Sequence, residues 1–151
     1  MQIFFGENVG KIMTKRGLTQ KKLKELSKVS RQTINKTLQL TSQKDLDISL
    51  TTALSIAKAL NVDFPSLFSR ITTLEDMNKY RDDNYLIIYS ENVKRLHRGN
   101  LQKYLSTQPG VSESTISEIL NLQVNNPKLS SMIYISEALG CHLSELLRRE
   151  G

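Results

Sequence analysis

The chain has 151 residues, 38% of them hydrophobic, which is enough for one domain of ordinary size or two small ones. A formal net charge of +6 and a pI near 9.5 suit a polyanionic partner. The single cysteine, Cys141, excludes an internal disulfide and every multi-cysteine metal site. No apolar run approaches the roughly 18 residues of a membrane span, and the N-terminus lacks the layout of a signal peptide. We therefore expect a cytoplasmic protein without membrane contact, metal or cofactor.

Helical spacing of apolar residues runs through residues 1–70, and no strand pattern competes with it. Phe5, Val9 and Ile12 form the apolar stripe of a first helix, and Asn61 is placed to end a fourth in a left-handed cap. The predicted helices lie near 2–15, 19–27, 30–39, 50–60 and 64–69.

The stretch from Thr19 to Leu38 has the pattern of two short helices joined by a tight turn. Ser30 is suited to cap the second helix, because its hydroxyl can accept a hydrogen bond from a backbone N–H in the first turn. With Ile34 and Leu38 inward, the outward face carries amides, hydroxyls and cations, which contact base edges and phosphates. That face consists of Arg31, Gln32, Thr33, Asn35, Lys36 and Gln39.

At these residues the sequence resembles the helix-turn-helix of the phage-repressor and Cro-like family, also called the Xre family. Gln20 opens the first motif helix, Val29-Ser30 makes the turn, and Thr33-Ile34 lies in the second helix, each where the family has it. The resemblance implies an all-α fold that binds double-stranded DNA, with Gln20 on a phosphate and the second helix facing the major groove. The predicted DNA-binding set is Gln20, Lys21, Arg31, Gln32, Thr33, Asn35, Lys36 and Gln39.

Two positions depart from the family pattern. Lys28 stands where the family usually has a turn glycine, so we expect a strained or differently shaped turn there. Lys24 stands where the family usually has a small packed residue. Its aliphatic stem could lie along the surface with the ammonium group in water.

The sequence repeats itself. A shift of 82 residues places Gln20-Lys21 on Gln102-Lys103 and Thr33-Ile34 on Thr115-Ile116. A shift of 84 matches the first helix to residues 88–96, including Asn8 to Asn92, and a shift of 79 matches 50–67 to 129–146. The second copy's predicted helices lie near 84–98, 101–108, 112–120, 130–139 and 143–149. The resemblance thus covers residues 2–70 and 84–149, and it predicts two tandem five-helix domains of the lambda-repressor-like type.

The charge is unequal between the copies. Residues 1–72, the predicted N-terminal domain, hold 12 basic and 5 acidic side chains, a net charge of +7. Residues 73–84, the predicted linker, hold 2 and 4 (−2), and residues 85–151, the predicted C-terminal domain, hold 7 and 6 (+1). Thr73 with Asp76 could cap a brief helix in the linker, and a solvated acidic linker is the alternative.

The second copy carries Glu113 and Glu118 where the first has Arg31 and Lys36. Carboxylates at that surface oppose phosphate binding, although a glutamate can accept a hydrogen bond from a cytosine amine. We expect the first copy to be the main DNA-binding unit, and the second to be a weaker reader or a surface for a protein partner. The residues of this second surface are Gln102, Lys103, Ser112, Glu113, Ser114, Thr115, Ser117 and Glu118.

The sequence contains no glycine-rich phosphate loop, nucleophile elbow or paired carboxylates, so an enzyme is not expected. His97 and His142 have no acidic companions at ligand spacing. The leading interpretation is a bacterial or phage repressor that occludes an operator or promoter as a homodimer on a two-fold site. One chain that presents both reading helices, as a covalent pseudo-dimer, is the second solution, and the unequal charges of the copies favour the ordinary dimer. The alternative is an antitoxin or antirepressor whose second domain binds a protein.

Overall fold

The computed structural model describes residues 3–39, 48–71, 77–96 and 113–149, and for Glu113 it describes the backbone alone. Within these ranges the protein is helical, and its one β-type pairing is an isolated antiparallel bridge between Ser49 and Lys128. The all-α prediction is confirmed. Among the described helices, none is long and apolar enough to cross a membrane.

The helices of the first copy lie close to their predicted positions. They are α1 (Phe5–Arg16), α2 (Gln20–Ser27), α3 (Arg31–Gln39), α4 (Leu50–Leu60) and a 3₁₀ helix (Pro65–Phe68). Thr19 and Ser49 start α2 and α4, since their hydroxyls accept hydrogen bonds from the third residue on. Asn61 ends α4 in the left-handed conformation, as predicted, with φ 52° and ψ 48°.

The described part of the second copy contains α5 (Tyr85–Leu96), α6 (Glu113–Leu120), α7 (Leu129–Ala138) and α8 (Leu143–Leu146). The predicted helix at 101–108 lies outside the described residues, as do Gln102, Lys103 and Ser112. The last helix is shorter than the predicted 143–149. The brief helix expected to begin at Thr73 also falls outside the described residues, and the described remainder of the linker, 77–84, is not helical.

A buried asparagine confirms the register of the repeat. The side-chain amide of Asn8 in α1 donates two hydrogen bonds to carbonyl oxygens at the end of the first copy, and Asn92 in α5 does the same in the second. The acceptors are Leu67 and Ser69 for Asn8, at 2.8 and 2.7 Å, and Leu146 and Arg148 for Asn92, both at 2.8 Å. These positions are related by the shifts of 84 and 79 residues read from the sequence.

The buried side chains of both copies form one continuous core. Tyr85 and Tyr89 lie in it, and the Tyr85 ring stands 5.0 Å from the ring of Phe64 in the first copy. Tyr134 is half-buried. Cys141 packs against the core but is only half-buried, whereas Val62, its equivalent in the first copy, is fully buried.

Candidate nucleic-acid interface

The turn between α2 and α3 depends on a lysine in a conformation that suits glycine. Lys28 has φ 64° and ψ 13°, and its N–H donates to the carbonyl of Lys24 at 2.8 Å, ending α2. The turn therefore has a left-handed C-cap without glycine, and the strain expected at Lys28 is present. Lys24 is exposed, as expected.

The second motif helix, α3, is held by a buried side chain and by a cap at its first turn. Ile34 is 1% exposed and lies in the core. At the start, the Ser30 hydroxyl accepts a hydrogen bond from the Thr33 N–H at 3.2 Å and donates to the Thr33 hydroxyl at 2.9 Å. The predicted cap and inward face are therefore present, and they fix which side chains α3 turns outward.

Gly6 in α1, for which the sequence predicts no role, allows α1 to approach α3 closely. A Cβ atom on Gly6 would lie 2.3 Å from the backbone oxygen of Thr37, too close for any side chain. In the second copy the equivalent residue is Ser90, whose hydroxyl donates to the carbonyl of Leu120 at 2.9 Å. An isolated glycine inside an amphipathic helix is the signal that could have revealed this close approach.

The outward face of the motif brings the predicted residues of the first copy together. Gln20 and Asn35 meet between the two helices, where Gln20 Nε2 donates to Asn35 Oδ1 at 3.5 Å, and Gln39 Nε2 donates to the same oxygen at 3.4 Å. A bidentate contact to adenine uses both the oxygen and the nitrogen of an asparagine amide. Asn35 would therefore exchange these two long bonds for base contacts. Exposed on this face are Lys21, Arg31, Gln32, Asn35, Lys36 and Gln39, and half-exposed are Gln20 and Thr33.

The equivalent face of the second copy is acidic and hydroxyl-rich. Ile116, the counterpart of Ile34, lies in α6 and is fully buried. Ser114 and Glu118 are exposed, and Thr115 and Ser117 are half-exposed. α6 is thus built like α3 but presents a carboxylate in place of a lysine.

Within the described residues, no group of three or more His, Cys, Asp or Glu side chains could hold a metal ion. The exposed polar groups on α3 face away from the core. Their geometry suits contact with a nucleic-acid duplex, since an α-helix with exposed amides and cations fits the major groove.

A helix-turn-helix with a basic, amide-rich second helix defines a class of DNA-binding proteins. Two segments of the chain, residues 8–73 and 95–151, match the family model of the Cro/C1-type helix-turn-helix DNA-binding domain. Together they span most of the sequence, and the chain belongs to this family. No curated protein and no solved structure matches it significantly. The protein is a DNA-binding transcription regulator built from two tandem copies of the domain.

Proposed function

We propose that the protein is a sequence-specific repressor that occludes an operator or promoter, with the first copy supplying most of the affinity. The observation that carries this proposal is the outward face of α3. There Arg31, Gln32, Asn35 and Lys36 are exposed together above the buried Ile34.

Affinity and selectivity come from different groups on this face. Lysines such as Lys21 and Lys36 neutralise phosphates and release counterions, which gives binding without base preference. Gln32 and Asn35 can pair with the edge of adenine, and Arg31 with guanine, which gives selectivity. The charge of +7 on residues 1–72 supports the assignment of most phosphate contacts to the first copy.

The second copy contributes less affinity because Glu118 is exposed at the position equivalent to Lys36. A carboxylate close to the DNA backbone repels phosphate, and only a base-edge donor, such as the cytosine amine, compensates for it. Charge by itself favours a homodimer in which two first copies contact two equal half-sites. A protein partner bound at α6 is the competing use of this acidic face.

The reading surface is tested with Gln32→Ala and Asn35→Ala in the full chain. Each should cost roughly 1–3 kcal/mol on a selected DNA site and relax the base preference, because each removes a bidentate contact. Gln123→Ala is the matched control, since Gln123 is an exposed glutamine outside α3. Binding is measured by fluorescence anisotropy, and helix content by circular dichroism. Unchanged affinity and an unchanged selected motif in both variants would place the reading surface elsewhere.

The unequal charge of the copies is tested with the double variant Glu113→Arg and Glu118→Lys. Nonspecific DNA affinity should rise, and the gain should shrink as salt rises, because screening weakens the repulsion that the variant removes. Glu145→Lys is the control for charge, since Glu145 is exposed on α8, a helix that packs on α5, α7 and the 3₁₀ helix. A gain no larger than that of the control would contradict the proposal that Glu113 and Glu118 weaken DNA binding by the second copy. A protein co-purified with the chain and lost in the double variant would assign α6 to a protein partner.

Occlusion is tested by placing the selected site over a promoter in a reporter strain. Expression should fall when the site overlaps the promoter and recover with Gln32→Ala. A rise in expression would instead indicate that the protein is an activator.

A further inference from the structure

The two copies contact each other where their fourth helices begin. The N–H of Leu50, the first residue of α4, donates to the carbonyl of Pro127 at 2.8 Å, and the N–H of Leu129, the first residue of α7, donates to the carbonyl of Ile48 at 2.9 Å. Leu50 and Leu129 are both buried. The first N–H groups of a helix have no partner inside it, so a buried one needs a partner elsewhere. Each copy thus supplies the acceptor for a buried donor of the other.

This pairing is symmetric in the register of the repeat. A shift of 79 residues carries position 48 to 127, 49 to 128 and 50 to 129, so each of the two hydrogen bonds becomes the other when the copies are exchanged. Ser49 and Lys128, which form the bridge between them, are themselves equivalent positions. A contact in which one patch meets its own equivalent is that of a two-fold axis. The copies of one chain are therefore paired locally as two identical subunits would be.

A second contact joins the ends of the copies. The 3₁₀ helix of the first copy packs against α8, its equivalent in the second. Next to it, Arg148 reaches the carboxylate of Asp63 at 3.2 Å and the hydroxyl of Ser66 at 3.0 Å. The Asp63 side chain is only 8% exposed, so this ion pair belongs to the interface and not to a solvated surface. Two separate contacts and the shared core fix the orientation of one copy against the other.

A two-fold relation between the copies carries α3 onto α6. Both helices rest on their own copy in the same way, since Ile34 and Ile116 are equivalent and both buried. In dimeric helix-turn-helix proteins, the two-fold axis brings one such helix to each half of a DNA site. In this protein both helices belong to one chain.

The outward residues of the two helices differ. Gln32 and Lys36 of α3 have Ser114 and Glu118 as their counterparts in α6. Glutamine pairs with adenine and lysine with guanine, whereas glutamate accepts from cytosine and serine contacts several bases. We propose that a single chain occupies one double-stranded DNA site composed of two unlike half-sites, with α3 on one and α6 on the other. This inference rests on the proposed DNA-binding function and adds the number of chains and the form of the site.

The experiment begins with selection of bound duplexes from random DNA by the full-length chain. The expected motif has two different half-sites, centred about 10 base pairs apart or a multiple of this. Sedimentation of the selected duplex with the chain should give one chain per duplex. Inserting five base pairs between the half-sites should reduce affinity to that for a duplex with one half-site alone, because the contacts between the copies do not allow one to rotate against the other.

Two variants identify which helix contacts which half-site. Glu118→Lys should change the selected bases in one half-site only, and Lys36→Glu should change those in the other half only. Exchanging a base pair in either half-site should weaken binding by the wild-type chain roughly ten-fold. Glu145→Lys, which changes charge away from both helices, should leave both halves of the motif unaltered.

The outcomes distinguish this inference from the proposed function. Two chains on a motif with equal half-sites, or a single half-site unaffected by Glu118→Lys, would overturn the inference while leaving a sequence-specific DNA-binding protein. A chain that selects no motif would overturn both. One chain on two unlike half-sites, each altered by its own helix variant, supports the inference.

Discussion

The buried amide of Asn8 ties α1 to the end of the first copy, and its removal should lower the free energy of unfolding. It donates to the carbonyl of Leu67, in a buried bond, and to that of Ser69, in a partly buried one. A buried carbonyl without a donor costs about 1–3 kcal/mol, and one that water can reach costs less. With the small cavity that the substitution leaves, Asn8→Ala should lower the free energy of unfolding by about 2–4 kcal/mol. Asn92→Ala should cost about the same, because Asn92 makes the same pair of bonds.

The assay is urea unfolding followed by circular dichroism, with free energies from linear extrapolation. Asn8→Asp provides a matched variant of the same shape whose carboxylate would face two carbonyl oxygens. Burial and repulsion should raise the pKa of the new carboxyl group in the folded state, so its penalty is largest above that pKa and shrinks as the pH falls towards about 4. A cost below about 0.5 kcal/mol for Asn8→Ala would refute the reasoning, because both carbonyls would then have found other partners.

Three further outcomes are expected. Lys28→Gly should raise the free energy of unfolding by about 1 kcal/mol by relieving the left-handed backbone, and Lys28→Ala should change it little; urea unfolding measures both. Gly6→Ala should cost about 2 kcal/mol or more, because its Cβ would overlap the backbone of α3, whereas Gly10→Ala, with its nearest atom at 3.7 Å, should be neutral or stabilising. Burial raises the pKa of Tyr85 to about 12 and raises the pKa of Tyr89 as well. Both groups stabilise the fold below pH 10 and lose this contribution as the pH rises towards 12, so native protein at pH 11 should absorb less at the tyrosinate band than protein in urea.

The helices and their repeat could be predicted because local signals and buried positions agree. Ser30 and Asn61 stand at helix ends where short-range hydrogen bonds or a left-handed residue decide the boundary. Ile34 and Ile116 follow helical spacing, and both are buried, because that spacing places them on the side of the helix that faces the core. The fifth helix of the first copy, predicted at 64–69, is a 3₁₀ helix over Pro65–Phe68.

Contacts between distant segments could not be predicted from the same signals. The close approach of Gly6 to α3 depends on where two helices cross, and spacing along one helix does not contain that distance. The pairing of Leu50 with Pro127 and of Leu129 with Ile48 joins backbone N–H groups to backbone carbonyls. Every residue has the carbonyl and every residue except proline has the N–H, so no residue type marks the pairing. The repeat does not predict this pairing. It shows that the pairing is symmetric once the structure has revealed which residues pair.

The internal repeat separates the demands of folding from those of binding. Asn8 and Asn92 are the same residue because a buried carbonyl needs a donor in either copy, and both interiors contain an isoleucine at the centre of the motif helix. Lys36 and Glu118 differ because an exposed side chain contributes little to folding whichever charge it carries. Two copies can therefore fold alike, pair through a two-fold interface and still present different chemistry on the helices that the axis relates. A symmetric pair of helices with unlike outward residues matches a DNA site that is two-fold in its spacing and asymmetric in its bases.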